Sequence, residues 1–339
     1  MSTTASSGRA VPTRRAALAG AGAAAALLAL PHSVRRAGAA KLPSLTLYGP
    51  PAGPSIALAH GVAAGAFSGI AEAAEFKVWR NPDEMRAGLT SGTMQALVLP
   101  VQVAANLYNR GLGVRLLNIM TTGLLYVVSA DPSLTSFPAL KGRSLAVPFR
   151  NDMPDLVLNR LLAHHGMTPG TDIVLESAGS PIEAIQLLLA GRVDAVLTAE
   201  PAASAAILRG AASGKAVRRV IDVQRAWAQA TGGTPVLPQA GMALTVPFIE
   251  ANPGIADALQ EIAEKATESV NANPPRAAAD AAAALEMPAA VLVASLPTSN
   301  LVARRAAEER AAIEAMLTTL SEADPAIIGG RLPDDGFYI

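Results

Sequence analysis

Residues 141–201 alternate between short apolar runs and longer stretches of helical period. The run 143–147 (RSLAV) has the length of a strand, and 148–152 (PFRND) is a loop that leads into a helix. From 153 to 167, Leu156, Leu158, Leu161 and Leu162 recur near helical spacing until Gly166 and Pro169-Gly170 stop the run. A second strand is predicted over 172–176 (DIVLE). Ser180-Pro181-Ile182-Glu183 then writes a helix start: a hydroxyl to cap, proline at the first helical position, and a glutamate placed to reach back to the free N–H groups. Gly191 closes that helix, and 193–198 (VDAVLT) reads as a third strand. Strand, helix, strand, helix, strand predicts an α/β fold with a doubly wound parallel sheet.

The same phrase occurs earlier in the chain. Pro82, Glu84, Leu89 and Gly92 stand 99 positions before Pro181, Glu183, Leu188 and Gly191, and 94–98 (MQALV) precedes 193–197 (VDAVL) by the same interval. Any α/β chain can reuse a capped helix; a constant offset over helix and strand together favours two similar α/β lobes facing each other.

Taken in order, 44–48 (SLTLY) alternates as a strand and leads through a Gly/Pro loop into a helix over 56–64. A strand is predicted at 76–80, the first copy of the phrase follows, and then come a helix over 102–109 and strands over 114–120 and 124–129. Asp131-Pro132 and Phe137-Pro138 mark a linker. After 201 the pattern predicts a helix over 202–212 and a strand over 217–223, then an irregular stretch around Gly232-Gly233. A strand at 242–246 (MALTV) is placed to return to the first lobe, and everything past Pro253 reads as helical, the last helix spanning 300–320. On that helix Arg304 with Glu308 and Arg305 with Glu309 are spaced for i,i+4 pairs. The end, 332–338, is a turn followed by Phe337 and Tyr338, which could dock on the first lobe. Lobe I is thus expected to comprise 41–130 and 238–339, lobe II 131–237.

Composition narrows the class. The 339 residues are 51% hydrophobic and 16% charged, ample for two cores. Positive and negative charges balance at 27 each, but residues 1–40 hold five arginines and no acid, which leaves the remainder mildly acidic and gives no reason to expect nucleic-acid binding. Those forty residues read as an export signal of twin-arginine type: Arg14-Arg15, an apolar stretch over 16–30 and small residues at 37–40. Fifteen apolar residues are short for a membrane span. No cysteine is present, which excludes disulfides, thiolate metal sites and a lipid-bearing cysteine. The processed product is therefore expected outside the cytoplasm as a free, monomeric protein.

Leu140-Lys141-Gly142-Arg143, the phrase from Gly179-Ser180-Pro181 to Ala195, Thr198-Ala199-Glu200-Pro201 and the tail 333–338 together resemble one known family. The chain is similar, from Ser44 to its end, to the substrate-binding proteins of ABC importers for nitrate, taurine, aliphatic sulfonates and thiamine precursors. That resemblance implies the type II periplasmic binding protein fold: two α/β lobes with a ligand cleft between them, a helical C-terminal region, a small-molecule ligand and a permease partner in the inner membrane. It identifies a scaffold rather than a ligand.

Physics places the site independently, because ligands of open parallel sheets sit beyond the carboxyl ends of the strands, where loops feed helix N-termini. The candidate loops are 48–55, 99–102, 121–123, 149–153 and 198–200, and the candidate contacts on them are Tyr48, Pro50, Thr121, Gly123, Phe149, Arg150, Asn151, Asp152, Met153, Thr198 and Glu200. Arg150, between a strand end and a helix start, suits a sulfonate, carboxylate or phosphate, or else pairs with Asp152 or Asp155. Asp152 can meet a ligand amine but sits where an N-cap is wanted, and the cap is the stronger reading. Glu200 serves either a ligand amine or pyrimidine, or the helix that follows it. Tyr48, Phe149 and Trp79 either line an apolar ligand or fill cores. His60, His164 and His165 offer no expected metal site, and no cofactor is expected. Enzymes of the same fold depend, by the resemblance, on histidine and a cysteine-rich segment; here no histidine falls in a candidate loop, so capture of a solute is expected rather than catalysis. A pyrimidine precursor as ligand, or a role as ligand-sensing partner of a membrane receptor, are the alternatives.

Overall fold

The computed structural model describes residues 1–5 and 41–339, so the predicted export segment lies, beyond its first five residues, outside the described residues. The chain begins β1 (Leu42–Gly49), α1 (Gly53–Ala63), β2 (Ala71–Val78), α2 (Pro82–Thr90), β3 (Ala96–Pro100), α3 (Val101–Asn109), β4 (Val114–Leu116) and β5 (Asn118–Thr121). It continues with β6 (Leu125–Ser129), β7 (Ser144–Pro148), α4 (Met153–His164), β8 (Val174–Ala178), α5 (Pro181–Leu189), β9 (Ala195–Ala199), α6 (Ala202–Ala212), β10 (Arg218–Asp222) and α7 (Val223–Thr231). The last part is β11 (Ala240–Thr245), α8 (Val246–Ala251), α9 (Ile255–Ala272), α10 (Pro274–Ala281), α11 (Ala289–Ser295), β12 (Leu301–Arg305) and α12 (Arg310–Ser321).

Two five-stranded sheets result, ordered β2-β1-β3-β11-β4 and β10-β6-β9-β7-β8. In each, the strands joined by crossover helices run parallel, β1 to β2 and β3, β7 to β8 and β9. In each, one returning strand runs antiparallel, β11 beside β3 and β6 beside β9. Strand residues alternate between two cores: in the second sheet Leu145, Val147 and Leu197 pack toward Leu158 and Leu161 of α4, while Ala146 and Val196 face α5 and α6. Each fully buried leucine contributes about 1.5–3 kcal/mol.

The repeated phrase is structurally repeated. Asn81 accepts from the Glu84 N–H and Glu84 reaches back to the Arg80 N–H at 2.8 Å. Ser180 accepts from the Glu183 N–H and Glu183 reaches back to the Gly179 N–H at 2.8 Å. Two reciprocal capping boxes therefore start two crossover helices that feed the central strands β3 and β9.

Three expectations are corrected. The strand β6 belongs to the second sheet, paired with β9 and β10, so the chain enters that sheet after residues 122–124, past β5 of a separate two-stranded sheet, rather than after Asp131-Pro132; the proline there marks a surface turn after a buried strand. The segment past Pro253 is not wholly helical, because Leu301–Arg305 pairs antiparallel with β5. Arg304 therefore meets Glu309 at 3.0 Å and Arg305 meets Asp257 at 2.7 Å, in place of the i,i+4 pairs. Finally, Val223 starts a helix, α7, capped by the Asp222 side chain on the Arg225 N–H and ended by Gly232 in a left-handed conformation, φ 70°. The tail docks as its aromatics suggest: Phe337 is fully buried against Tyr108 and the Ile339 N–H bonds to the Leu116 carbonyl at 3.0 Å. Among the described residues no helix is long and apolar enough to cross a membrane.

Candidate functional site

The carboxyl ends of the parallel strands from the two sheets meet. The β1–α1 loop is tightened by the Ser55 hydroxyl donating to the Pro50 carbonyl at 2.6 Å, which aims the first N–H of α1 outward. That N–H, on Gly53, donates to the Glu200 carbonyl of the second lobe at 3.1 Å. Only glycine fits there, since a Cβ on Gly53 would lie 2.8 Å from the Ser299 side chain.

The β7–α4 loop makes the second approach. Phe149 and Asn151 both take left-handed backbone, φ 59° and 60°, which turns the chain sharply enough to present Arg150 between them. Asp152 caps α4 and is 4% exposed. Its carboxylate accepts from Arg86 Nη2 at 3.1 Å and from Gln102 Nε2 at 2.8 Å, both from the first lobe. The predicted cap is thus also a charged clasp between lobes, and a charge-assisted one. Asp155 accepts from the Asn151 N–H at 2.8 Å and holds the loop from below. Arg150 is exposed, and among the described residues no carboxylate pairs with it, neither Asp152 nor Asp155.

The β9–α6 loop carries Glu200, which is fully buried. One oxygen accepts from Arg219, at 2.7 Å from Nε and also from Nη2, and from the Thr298 hydroxyl at 2.7 Å; the other accepts from the Ser204 N–H at 3.1 Å. The Arg219 guanidinium lies over the Tyr126 ring, 5.4 Å from its centroid. Tyr126 donates to the Thr298 carbonyl at 3.0 Å, and burial pushes its phenol up to about 12. Glu200 therefore stabilises the start of α6 and ties Thr298 of the first lobe to the second, with its oxygens already engaged.

Two buried polar atoms at this level have no hydrogen-bond partner, Gln102 Oε1 and Thr198 Oγ1. Both residues are nearly or fully enclosed, at 2% and 0% exposure. An unpaired buried polar atom costs about 1–3 kcal/mol: Gln102 Oε1 lacks a donor, and the Thr198 hydroxyl lacks a partner of either kind.

A crevice of ≈ 370 Å³ runs between Asn81, Asp83 and Arg86 on one side and Phe149, Arg150 and Asp152 on the other. A second, of ≈ 360 Å³, continues past Arg86 to Gln102, Arg110 and Asn151. Of the predicted contacts, the structure gathers Phe149, Arg150, Asn151 and Asp152 here. It does not bring the others with them. Tyr48 packs into a separate groove with Thr46, Gln95 and Phe248. Met153 is 2% exposed in the core, and Pro50 spends its carbonyl on Ser55 and Ala52. Thr121 donates to the Ser299 carbonyl at 2.8 Å and accepts from the Gly123 N–H. Gly123, φ 132°, leaves room for Gln224, whose Cγ would be 1.9 Å from an added Cβ. Arg86 and Gln102 escaped the sequence reading; Gln102 lies in the candidate loop 99–102 and interrupts an apolar run, a signal that was available, whereas nothing sets Arg86 apart from a solvated helix arginine.

Residues 78–286 match the model of the NMT1-like family. Among solved structures, an ABC transporter protein of Parabacteroides distasonis superposes with a TM-score of 0.69 at 23% identity, over 88% of this chain and 98% of that one. The periplasmic aliphatic sulphonate binding protein SsuA of Escherichia coli gives 0.65 at 17% identity, over 86% and 92%. The periplasmic nitrate-binding protein NrtA of Synechocystis PCC 6803 gives 0.59 at 14%, over 75% and 70%. No curated protein matches the sequence.

Proposed function

The chain belongs to the NMT1-like family and has the type II periplasmic binding protein fold, and from that premise we propose that it is the extracytoplasmic solute-binding component of an ABC importer, capturing a small polar or anionic organic solute between its lobes. The single observation that carries this reading is the crevice between the lobes in which Arg86 is held by Asp83 and Asp152 while Arg150 has no carboxylate partner among the described residues. Guanidinium groups bind carboxylate, sulfonate or phosphate oxygens in paired, charge-assisted bonds, and the α4 N-terminus behind Arg150 adds its dipole. The chain enters the second sheet through 122–124 and returns to the first through 232–239, and the lobes hinge there. Closure brings Arg86 and Gln102 onto Asp152 and shuts the solute from water; the closed form then docks on a membrane permease. The sulphonate- and nitrate-binding relatives are binding proteins, and capture rather than turnover is the activity proposed for this chain, as a monomer outside the cytoplasm.

A thermal-shift screen of small carboxylates, sulfonates, nitrate, amines and pyrimidines tests the reading. A ligand at ~100 times its Kd adds about 2.7 kcal/mol to stability, a plain rise in Tm. Stabilisation by an organic anion supports solute capture. A panel in which no compound raises Tm contradicts it.

A further inference from the structure

Within the first lobe, α1 packs against α9 and α10, and the small side chains of Ala59, Ala263, Ala277 and Ala281, buried in one core, let the three helices come close. At their junction lies His60, 5% exposed. Its Nδ1 is 3.0 Å from Asp280 Oδ2, and its Nε2 is 2.9 Å from Ser269 Oγ. Asp280 stands 220 positions from His60 and Ser269 stands 209, so only the fold assembles the set. None of the three lines the crevice between the lobes.

The charges fix the roles. Arg276 Nε lies 2.9 Å from both oxygens of Asp280, and that pair, followed by the His60 contact, holds the Asp280 carboxyl below the ordinary carboxylate range. An ionised carboxylate only accepts, so the proton of the neutral ring sits on Nδ1 and is donated to Asp280. Nε2 keeps its lone pair, and the Ser269 hydroxyl donates to it. His60 is enclosed while Ser269 is exposed, so the base is shielded from water and the hydroxyl is open to a reagent. Carboxylate, imidazole and hydroxyl, hydrogen-bonded in that order, form the arrangement that activates a serine as a nucleophile.

We propose that Ser269 is an activated hydroxyl, a covalent site for acyl groups delivered by activated esters. Its Oγ attacks the ester carbonyl carbon, the Oγ–H proton passes to His60 Nε2, and the carbon–oxygen bond to the leaving group breaks. The leaving group departs as its anion, and the imidazolium returns the proton to solvent. This site is independent of the solute-capture reading.

The same geometry limits the reaction to one equivalent. Ser269 lies inside α9, whose N–H groups are spent on the helix, and α10 begins at Pro274-Pro275, which have none. The next N–H, on Arg276, is taken by the Asn273 side chain. A tetrahedral intermediate on Oγ therefore meets no backbone oxyanion hole from these two helix ends, and each missing donor costs about 10²–10³ in rate. An activated ester reacts in spite of that cost. The serine ester it leaves has a poor leaving group and persists, with the Ser269–His60 bond between α9 and α1 broken.

The test incubates the purified protein with p-nitrophenyl acetate and follows acetylation of individual residues by peptide mass spectrometry. Ser269 should be acetylated to one equivalent, ahead of the exposed Ser91 and Ser213, and Ser269→Ala should release one equivalent less of p-nitrophenolate. A general base contributes about 10²–10⁴-fold, so His60→Gln should acetylate Ser269 roughly 100-fold more slowly or worse. Asp280→Asn keeps the side-chain volume and removes the charge that fixes the tautomer; it should slow the reaction roughly tenfold or more, and it carries the test if His60→Gln fails to fold. Melting curves of both variants check the fold. Ser269 reacting no faster than Ser91, or at an unchanged rate in a folded His60→Gln or Asp280→Asn, overturns the proposal and leaves the three side chains as a clasp between helices.

Discussion

At the residue scale, the crevice separates groups whose charge is spent from groups whose charge is free. Arg150 stands on a loop held by two left-handed residues and has no carboxylate partner among the described residues. Arg150→Ala should cost an anionic ligand about 1.5–3 kcal/mol, roughly 10- to 150-fold in Kd by calorimetry. Arg160→Ala, on the helix that follows the loop and engaged with Glu322 at 3.6 Å, should leave Kd unchanged. Glu200 is the opposite case. Glu200→Ala strands Arg219 in a partly buried site and should destabilise the fold by about 3 kcal/mol in chemical denaturation, independent of ligand. A third residue gives a pH signature. Asp194 accepts from the Ser144 N–H at 2.7 Å and its hydroxyl at 2.8 Å, and these bonds, the backbone one foremost, hold its carboxyl below the ordinary 3.8. A native pKa below the unfolded one means the stabilisation is full above about pH 4 and is lost as pH falls through the native value. Asp194→Asn should therefore be less stable than wild type at pH 7, with the gap closing in melts taken below pH 4.

At the element scale, what the sequence made legible is what local chemistry specifies. The two capping boxes at Asn81/Glu84 and Ser180/Glu183 announced α2 and α5, and the apolar runs after them are β3 and β9. Ser180→Ala should cost about 1 kcal/mol in thermal or chemical unfolding, the worth of an N-cap. The elements that were missed owe their form to partners distant in sequence or to a misplaced boundary. Leu301–Arg305 carries Arg304 and Arg305 at helical spacing from Glu308 and Glu309, yet pairing with β5 and the left-handed turn at Asn300, φ 43°, make it a strand. Before α7, the reading carried the preceding strand through Val223 and so consumed the first residue of the helix, although Asp222 and Gly232 were present as start and stop. The candidate site divides the same way. Arg150 and Asp152 were legible because they lie on a loop between strand and helix. Arg86 was not, because its role comes from the opposite lobe, 66 positions away from Asp152.

At the scale of the whole molecule, the strand β6 decides where the lobes part. Its pairing with β9 and β10 moves the first crossing to residues 122–124, centred on Gly123 and within reach of Asn300, whose Nδ2 bonds the Gly123 carbonyl at 2.7 Å. Between the crossings and the crevice, polar contacts span the lobes: the Gly53 N–H on the Glu200 carbonyl, Thr298 on the Glu200 carboxylate, and Arg86 with Gln102 on Asp152. Polar contacts of this kind are nearly balanced by hydration in the open form, which is the condition for a solute to decide between open and closed. Small-angle X-ray scattering of the protein, alone and with a saturating stabilising ligand from the screen, reads that choice directly. The radius of gyration should fall when ligand is added and return when it is dialysed away; an unchanged radius at saturation, with binding verified by calorimetry in the same sample, would contradict capture by lobe closure.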